Sequence, residues 1–362
     1  MGINDIIIYI MVAFMALGAI DKVLGNKFGL GEQFEEGIMA MGTLAVAMVG
    51  VICLAPVISN ILGPIITPLY SAMGADPAMF AGTLLANDMG GYPLAIQMAQ
   101  NPEVGRFAGL ILGGMMGPTI VFTIPVALGI INKEDTQFLA KGVLAGIITI
   151  PLGCIAGGLV QGLSIGVILI NLVPSIIFAA LIALGLWKAP GAVIKGFTVF
   201  GKGVTAVITI GLAAAIIETL TGVVVIPGMA PIDEGISTVG HIALVLAGAL
   251  PLVYFVTKVF SKPLMKVGSL LGINDVAAGG MIASLANSIP MFGMMKDMDN
   301  RGKVINVAFA VSASFVLGDH LGFTAGVDAE MISAMMVGKL VAGITAVILA
   351  CIITPKNDSV KA

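Results

Sequence analysis

Charge is scarce in this sequence. Lys, Arg, Asp and Glu make up 10% of its 362 residues, against about 25% in soluble domains, which excludes a soluble globular chain. The net charge is −3 and no basic tract is present, so a nucleic-acid partner is excluded as well. Cysteine is scarcer still. Cys53, Cys154 and Cys351 lie far apart in apolar runs without C-x-x-C spacing, so neither a disulfide framework nor a thiolate metal site is expected. His241 and His320 are the two histidines, and the chain holds neither a complete P-loop nor H-E-x-x-H. That argues against an ATP-driven pump, a zinc site or a bound cofactor. The opening Met1-Gly2-Ile3-Asn4-Asp5 lacks the basic n-region of a cleaved signal, so the apolar run behind it is expected to be a first membrane helix.

What is abundant is apolar surface and glycine: 58% hydrophobic residues, 48 glycines and a mean hydropathy of +1.10. A span needs about 20 apolar residues. That rule predicts an all-α polytopic membrane protein with spans over Ile6–Leu24, Gly37–Ser59, Arg106–Ile131, Phe138–Leu159, Ser164–Trp187, Gly203–Ile226, Val239–Thr257, Lys303–Ala325 and Met331–Ile353. Ile61–Gly74 and Ser261–Gly272 read as separate interfacial helices. Two further apolar stretches are broken. Pro77–Gln100 contains Leu85-Ala86-Asn87-Asp88-Met89-Gly90-Gly91-Tyr92-Pro93, and Asp275–Lys296 contains Leu285-Ala286-Asn287-Ser288-Ile289-Pro290. The spans at Arg106 and Lys303 are interrupted too, at Gly113–Thr119 and Leu317–His320. Freed backbone in lipid costs several kcal/mol and is tolerated only where it is buried in protein or lines a cavity.

The halves repeat. Glu36-Gly37-Ile38, Gly42, Gly50, Gly74, Asp76 and Gly82 align at one offset with Glu234-Gly235-Ile236, Gly240, Gly248, Gly272, Asn274 and Gly280. Ala86-Asn87 then meets Ala286-Asn287, and Gly117 meets Gly318. The repeats run over residues 36–131 and 234–327 of a single 1–362 domain. Lys22, Lys27, Lys133, Lys141, Lys188, Lys195 and Lys202 mark basic loops. Lys258, Lys262 and Lys266 precede the second broken stretch, and Lys296, Arg301 and Lys303 follow it. From Ser59 to Val104 there is no Lys or Arg. If both broken stretches are re-entrant hairpins, every basic loop falls inside, as the positive-inside rule asks. Nine crossings result, with the N-terminus outside, the C-terminus inside and the repeats inverted. Two matched breaks in opposite halves are the pattern of a transporter with a midplane site.

The polar residues at the breaks are the candidate solute ligands: Asn87, Asp88, Thr119, Asn287, Ser288, Asp319 and His320. An intramembrane carboxylate calls for a partner or a cation, which a small organic cation would supply. Asp88 and Asp319 would equally serve as helix N-caps. Asn87 and Asn287 would serve freed backbone or solute. His320 either pairs with Asp319 or relays protons. Glu218, deep in an apolar run, either pairs with Lys339 or lines a proton-linked pathway. An intramembrane aspartyl protease would need two such aspartates. Its expected motifs fail here: Val316-Leu317-Gly318-Asp319 lacks a first glycine, and Asn87 stands where a tyrosine belongs.

The chain resembles the ethanolamine permeases of bacterial ethanolamine-utilisation operons. The resemblance is carried by Met1-Gly2-Ile3-Asn4-Asp5-Ile6-Ile7-Ile8-Tyr9-Ile10-Met11, Gly31-Glu32-Gln33-Phe34-Glu35-Glu36-Gly37 with Met39-Ala40-Met41-Gly42, and Phe80-Ala81-Gly82-Thr83-Leu84-Leu85-Ala86 running into Asp88-Met89-Gly90-Gly91. It implies a multi-pass protein of the bacterial cytoplasmic (inner) membrane, in contact with lipid, that takes up ethanolamine. No binding residue is carried over from it. By layout alone, the chain is similar to concentrative nucleoside transporters, which suggests an elevator-like motion and a homo-oligomer. A permease for a nucleoside or another small metabolite, coupled to Na⁺ or H⁺, is the alternative reading.

Overall fold

In a computed structural model the described residues are 2–356, apart from the side chains at 261, 262, 264 and 267. They fold as helices and connecting turns. Among them, seven helices are long and apolar enough to cross a membrane, and a bent pair makes an eighth candidate. The chain is thus a polytopic membrane protein. Its helices are α1 (Ile3–Val23), α2 (Leu30–Ala72), α3 (Ala78–Leu84), α4 (Tyr92–Met98), α5 (Pro102–Leu112), α6 (Met116–Ile130), α7 (Lys133–Gln161), α8 (Ile165–Lys188), α9 (Pro190–Thr221) and α10 (Ile232–Leu271). Then come α11 (Asp275–Ala286), α12 (Ser288–Met294), α13 (Asn300–Ala313), α14 (Asp319–Val327) and α15 (Ile332–Ile353).

Three sequence expectations change. The interfacial helix expected at Ile61–Gly74 is the end of α2, which runs unbroken for 43 residues through Pro56, Pro64 and Pro68. Likewise, Ser261–Gly272 is the end of α10, 40 residues long with Pro251 and Pro263 inside; of its basic cluster, the Lys262 side chain lies outside the described residues. A proline removes one amide and strains one turn, but here the ladder resumes on either side. At 1.5 Å per residue α2 is about 65 Å long, so the expected span and the surface segment are one rod. Lys195 and Lys202 were expected in a loop and instead lie in the first turns of α9, exposed.

Both broken stretches fold back on themselves. In the first, Asp76 holds the two ends: its carboxylate accepts Ala78 N at 2.9 Å, Gln100 N at 3.0 Å and Asn101 N at 2.8 Å. In the second, Asn274 N donates to Asp299 Oδ1 at 2.8 Å and Asn274 Nδ2 to Asp297 O at 3.0 Å. The tips are extended rather than helical, at Leu85–Ala86 and at Asn287. Gly90, at φ +96°, lets the first chain turn into α4. Each tip finds its missing partners on the broken helix of its own half. Asn87 N donates to Gly113 O at 2.8 Å; Phe315 N and Leu317 N donate to Ser284 O and Leu285 O at 3.0 and 2.9 Å.

Bare backbone makes these approaches close. A Cβ on Gly117 would strike the Leu85 carbonyl, and one on Gly318 the Ala286 carbonyl. Gly37 of α2 lies on the backbone of Ala247 in α10, and Gly235 of α10 lies on Val49 of α2. The turn Gly162-Leu163-Ser164-Ile165-Gly166 has the spacing of a hydrolase nucleophile, yet it joins two helices. Ser164 caps the second through Val167 N at 3.4 Å, so the strand–turn–helix context of that motif is missing.

Candidate functional site

The two interrupted helices place their breaks side by side. Pro102–Leu112 and Met116–Ile130 meet at 43° across Gly113–Met115. In the second half the gap between α13 and α14 is Ser314–Gly318, so Asp319 and His320 occupy the first turn of α14 rather than the break itself. A cavity of about 40 Å³ lies where these elements and the first hairpin tip converge. Its walls are Ala86, Asp88 and Met89 of the tip, Pro118 and Phe122 of α6, and Phe315, Asp319 and His320 from the second half. Phe122 and Phe315 stand edge to face, with centroids 5.7 Å apart. A single water needs about 10–15 Å³, so the space suits a solute of a few heavy atoms.

The structure brings Asp88, Asp319 and His320 together from opposite halves of the chain. Neither carboxylate makes a helix-capping hydrogen bond, so the capping alternative does not describe them. His320 does not need Asp319 as its partner. Its Nδ1 lies 3.0 Å from Lys339 Nζ, its ring stacks on Phe315 at 5.0 Å, and it is buried. Lys339, 1% exposed, also donates to the Gly114 carbonyl freed by the first break. With Lys339 as an ammonium, which only donates, Nδ1 accepts and the ring proton sits on Nε2, which makes His320 a donor towards a guest.

The other candidates are placed differently. Asn87 is fully buried, and neither its amide nitrogen nor its oxygen has a hydrogen-bond partner; the Ser288 hydroxyl is in the same condition. Buried, unpaired polar atoms of this kind call for an explanation such as a guest or water. Thr119 is taken up by structure: its hydroxyl donates towards Met115 O at 2.8 Å and Val311 O at 3.2 Å. Asn287 caps α12, its Oδ1 accepting Ile289 N at 2.8 Å. Glu218 sits one turn from the end of α9, half-buried and outside the cavity wall. Lys339, its suggested partner, is engaged by Gly114 and His320 instead.

Lys339 is the residue that sequence reading undervalued. The signal was present, since a lysine at Gly338-Lys339-Leu340 in an apolar span is a functional hint in its own right. The apolar walls, Phe122 and Phe315, carried no signal, because phenylalanine is ordinary in a membrane helix.

Residues 3–353 match the family model described as "Ethanolamine utilisation protein, EutH". The chain is 70% identical over 347 residues to a probable ethanolamine permease EutH of Listeria monocytogenes, covering 96% of this chain and 93% of the relative. It is 53% identical to the proteins of the same name from Salmonella typhimurium and Escherichia coli. Those matches cover 100% and 99% of this chain, and 98% and 97% of the relatives. No solved structure matches.

Proposed function

The chain belongs to the EutH family of ethanolamine utilisation proteins, and on that premise we propose that it carries protonated ethanolamine across the cytoplasmic (inner) membrane, alternating access around the cavity between the broken helices. Its relatives are named permeases, so it is a transporter and not an enzyme. One observation carries the choice of substrate form: a small cavity walled by two carboxylates, Asp88 and Asp319, with a single buried lysine behind it. Lys339, as an ammonium, offsets one carboxylate. A monovalent organic cation offsets the other, and an uncompensated charge in this setting is costly. The guest ammonium then faces Asp88 and Asp319, and its hydroxyl oxygen accepts from His320 Nε2. Asn87 and Ser288, buried and unpaired, are the next groups to reach as the tips move. Ethanolamine, with two carbons, one nitrogen and one oxygen, suits about 40 Å³; a nucleoside does not.

Reciprocity supports reading the halves as inverted repeats over 36–131 and 234–327. Gly37 on Ala247 and Gly235 on Val49 exchange partners at one offset, and within each half the hairpin tip lies on the glycine of that half's break, Leu85 on Gly117 and Ala286 on Gly318. A contact that maps onto itself is the mark of a two-fold relation. In that reading the hairpins and broken helices move together against α2 and α10.

The deciding experiment is uptake of labelled ethanolamine into proteoliposomes, with and without pH and Na⁺ gradients. Asp319→Asn, inserted and monodisperse, should lose uptake at least tenfold. Normal uptake by that variant would remove Asp319 from the site.

A further inference from the structure

A larger cavity, about 250 Å³, lies beside residues that follow the inner site in both halves of the chain. Four residues on from Asp88 is Tyr92, and four on from Asp319 is Phe323; both line this second space. Their rings meet edge to face at 5.9 Å and 83°. Along α14, Asp319 and Phe323 lie about one turn apart, while Asp88 on the first tip and Tyr92 at the start of α4 are separated by the Gly90 turn. Tyr92 is backed by bare backbone at Gly109, where a Cβ would meet its ring at 2.8 Å. Gly322 and Gly326 let α14 lie directly on Leu246 and Ile242 of α10. That contact sets Ser237, Thr238 and His241 across the space from Phe323.

We propose that this cavity is a second binding site for a small primary ammonium, an antechamber where the solute waits before it passes the Tyr92–Phe323 pair; the proposal rests on the inner cavity being an amine site. The chemistry of the wall suits that ligand. No lysine or arginine lines it, so no fixed positive charge opposes a cation there. Aromatic faces attract an ammonium through their quadrupoles. His241 Nδ1 lies 2.8 Å from the Ser237 carbonyl; a carbonyl only accepts, so Nδ1 carries a proton, and in the neutral ring Nε2 presents a lone pair to a donor. Ser237 and Thr238 add hydroxyl oxygens. Exposed Asp233 and Glu234, in the first turn of α10, bias the approach towards cations.

Equilibrium binding of labelled ethanolamine to the purified, detergent-solubilised protein tests this. The wild type should bind two molecules per chain, one more weakly. Asp319→Asn should keep the weaker site, and adding His241→Leu and Tyr92→Leu to it should abolish binding. His241→Leu alone, at an exposed position that does not threaten folding, should raise the KM for uptake about tenfold and leave Vmax within twofold. One site per chain in the wild type, or an unchanged KM in His241→Leu and Tyr92→Leu alike, would overturn the antechamber. Loss of the Asp319 phenotype would instead overturn the inner site, so the two failures are distinct.

Discussion

His320 is held on two sides, by Lys339 at Nδ1 and by the Phe315 ring, and this leaves one nitrogen to read a guest. A site built to hydrogen-bond a hydroxyl rejects an analogue lacking it, because its own polar group is left unpaired. Ethylamine is that analogue. The wild type should prefer ethanolamine to ethylamine by about tenfold or more, and His320→Phe should bring the ratio of uptake efficiencies close to one. An unchanged ratio would assign the hydroxyl to another group. Lys339→Met acts more broadly. It strips the Gly114 carbonyl and His320 Nδ1 of their shared partner, at about 1–3 kcal/mol for a buried group left unsatisfied. It should appear first as lowered thermal stability in detergent.

At the level of elements, Asp76 and Gly318 show how a broken helix is kept in place. Asp76 collects three backbone amides from both ends of the first hairpin. Asp76→Ala leaves the buried Ala78 amide unpaired, at about 1–3 kcal/mol, and returns the Gln100 and Asn101 amides to water. The midpoint of thermal unfolding, followed by size-exclusion chromatography, should fall by several degrees, and less for Asp76→Asn. Gly318→Ala drives a methyl onto the Ala286 carbonyl, whereas Gly240→Ala meets open space. The first should lose stability by about 1–3 kcal/mol, as overpacking does, while the second stays near the wild type. Equal behaviour of the two would show that the hairpin tip yields.

Across the whole molecule, the question is which side of the membrane each hairpin faces. If each returns to the side it left, Ser71→Cys and Gln100→Cys share one side, and Lys266→Cys and Lys296→Cys share the other. All four positions are exposed. An impermeant maleimide applied to intact cells should label the first pair and spare the second until the membrane is opened. Labelling that separates Lys266 from Lys296 would make the second stretch a crossing and undo the inverted arrangement.

Much of the site's raw material was legible in one dimension. Apolar run length set the membrane class, because lipid imposes a length on every helix that crosses it. The misplaced polar residues at 87–88, 287–288 and 319–320 marked the breaks, because a polar group amid such runs needs a reason. The continuity of α2 and α10 through their prolines was not legible, since whether a helix survives a missing amide depends on what packs around that turn. Pairing was not legible either. Lys339 has carboxylates, a histidine and a freed carbonyl within reach of its apolar helix, and only the fold decides which it meets. The spacing of residues along a chain determines what each element can bury; which atoms then touch is a property of several elements at once.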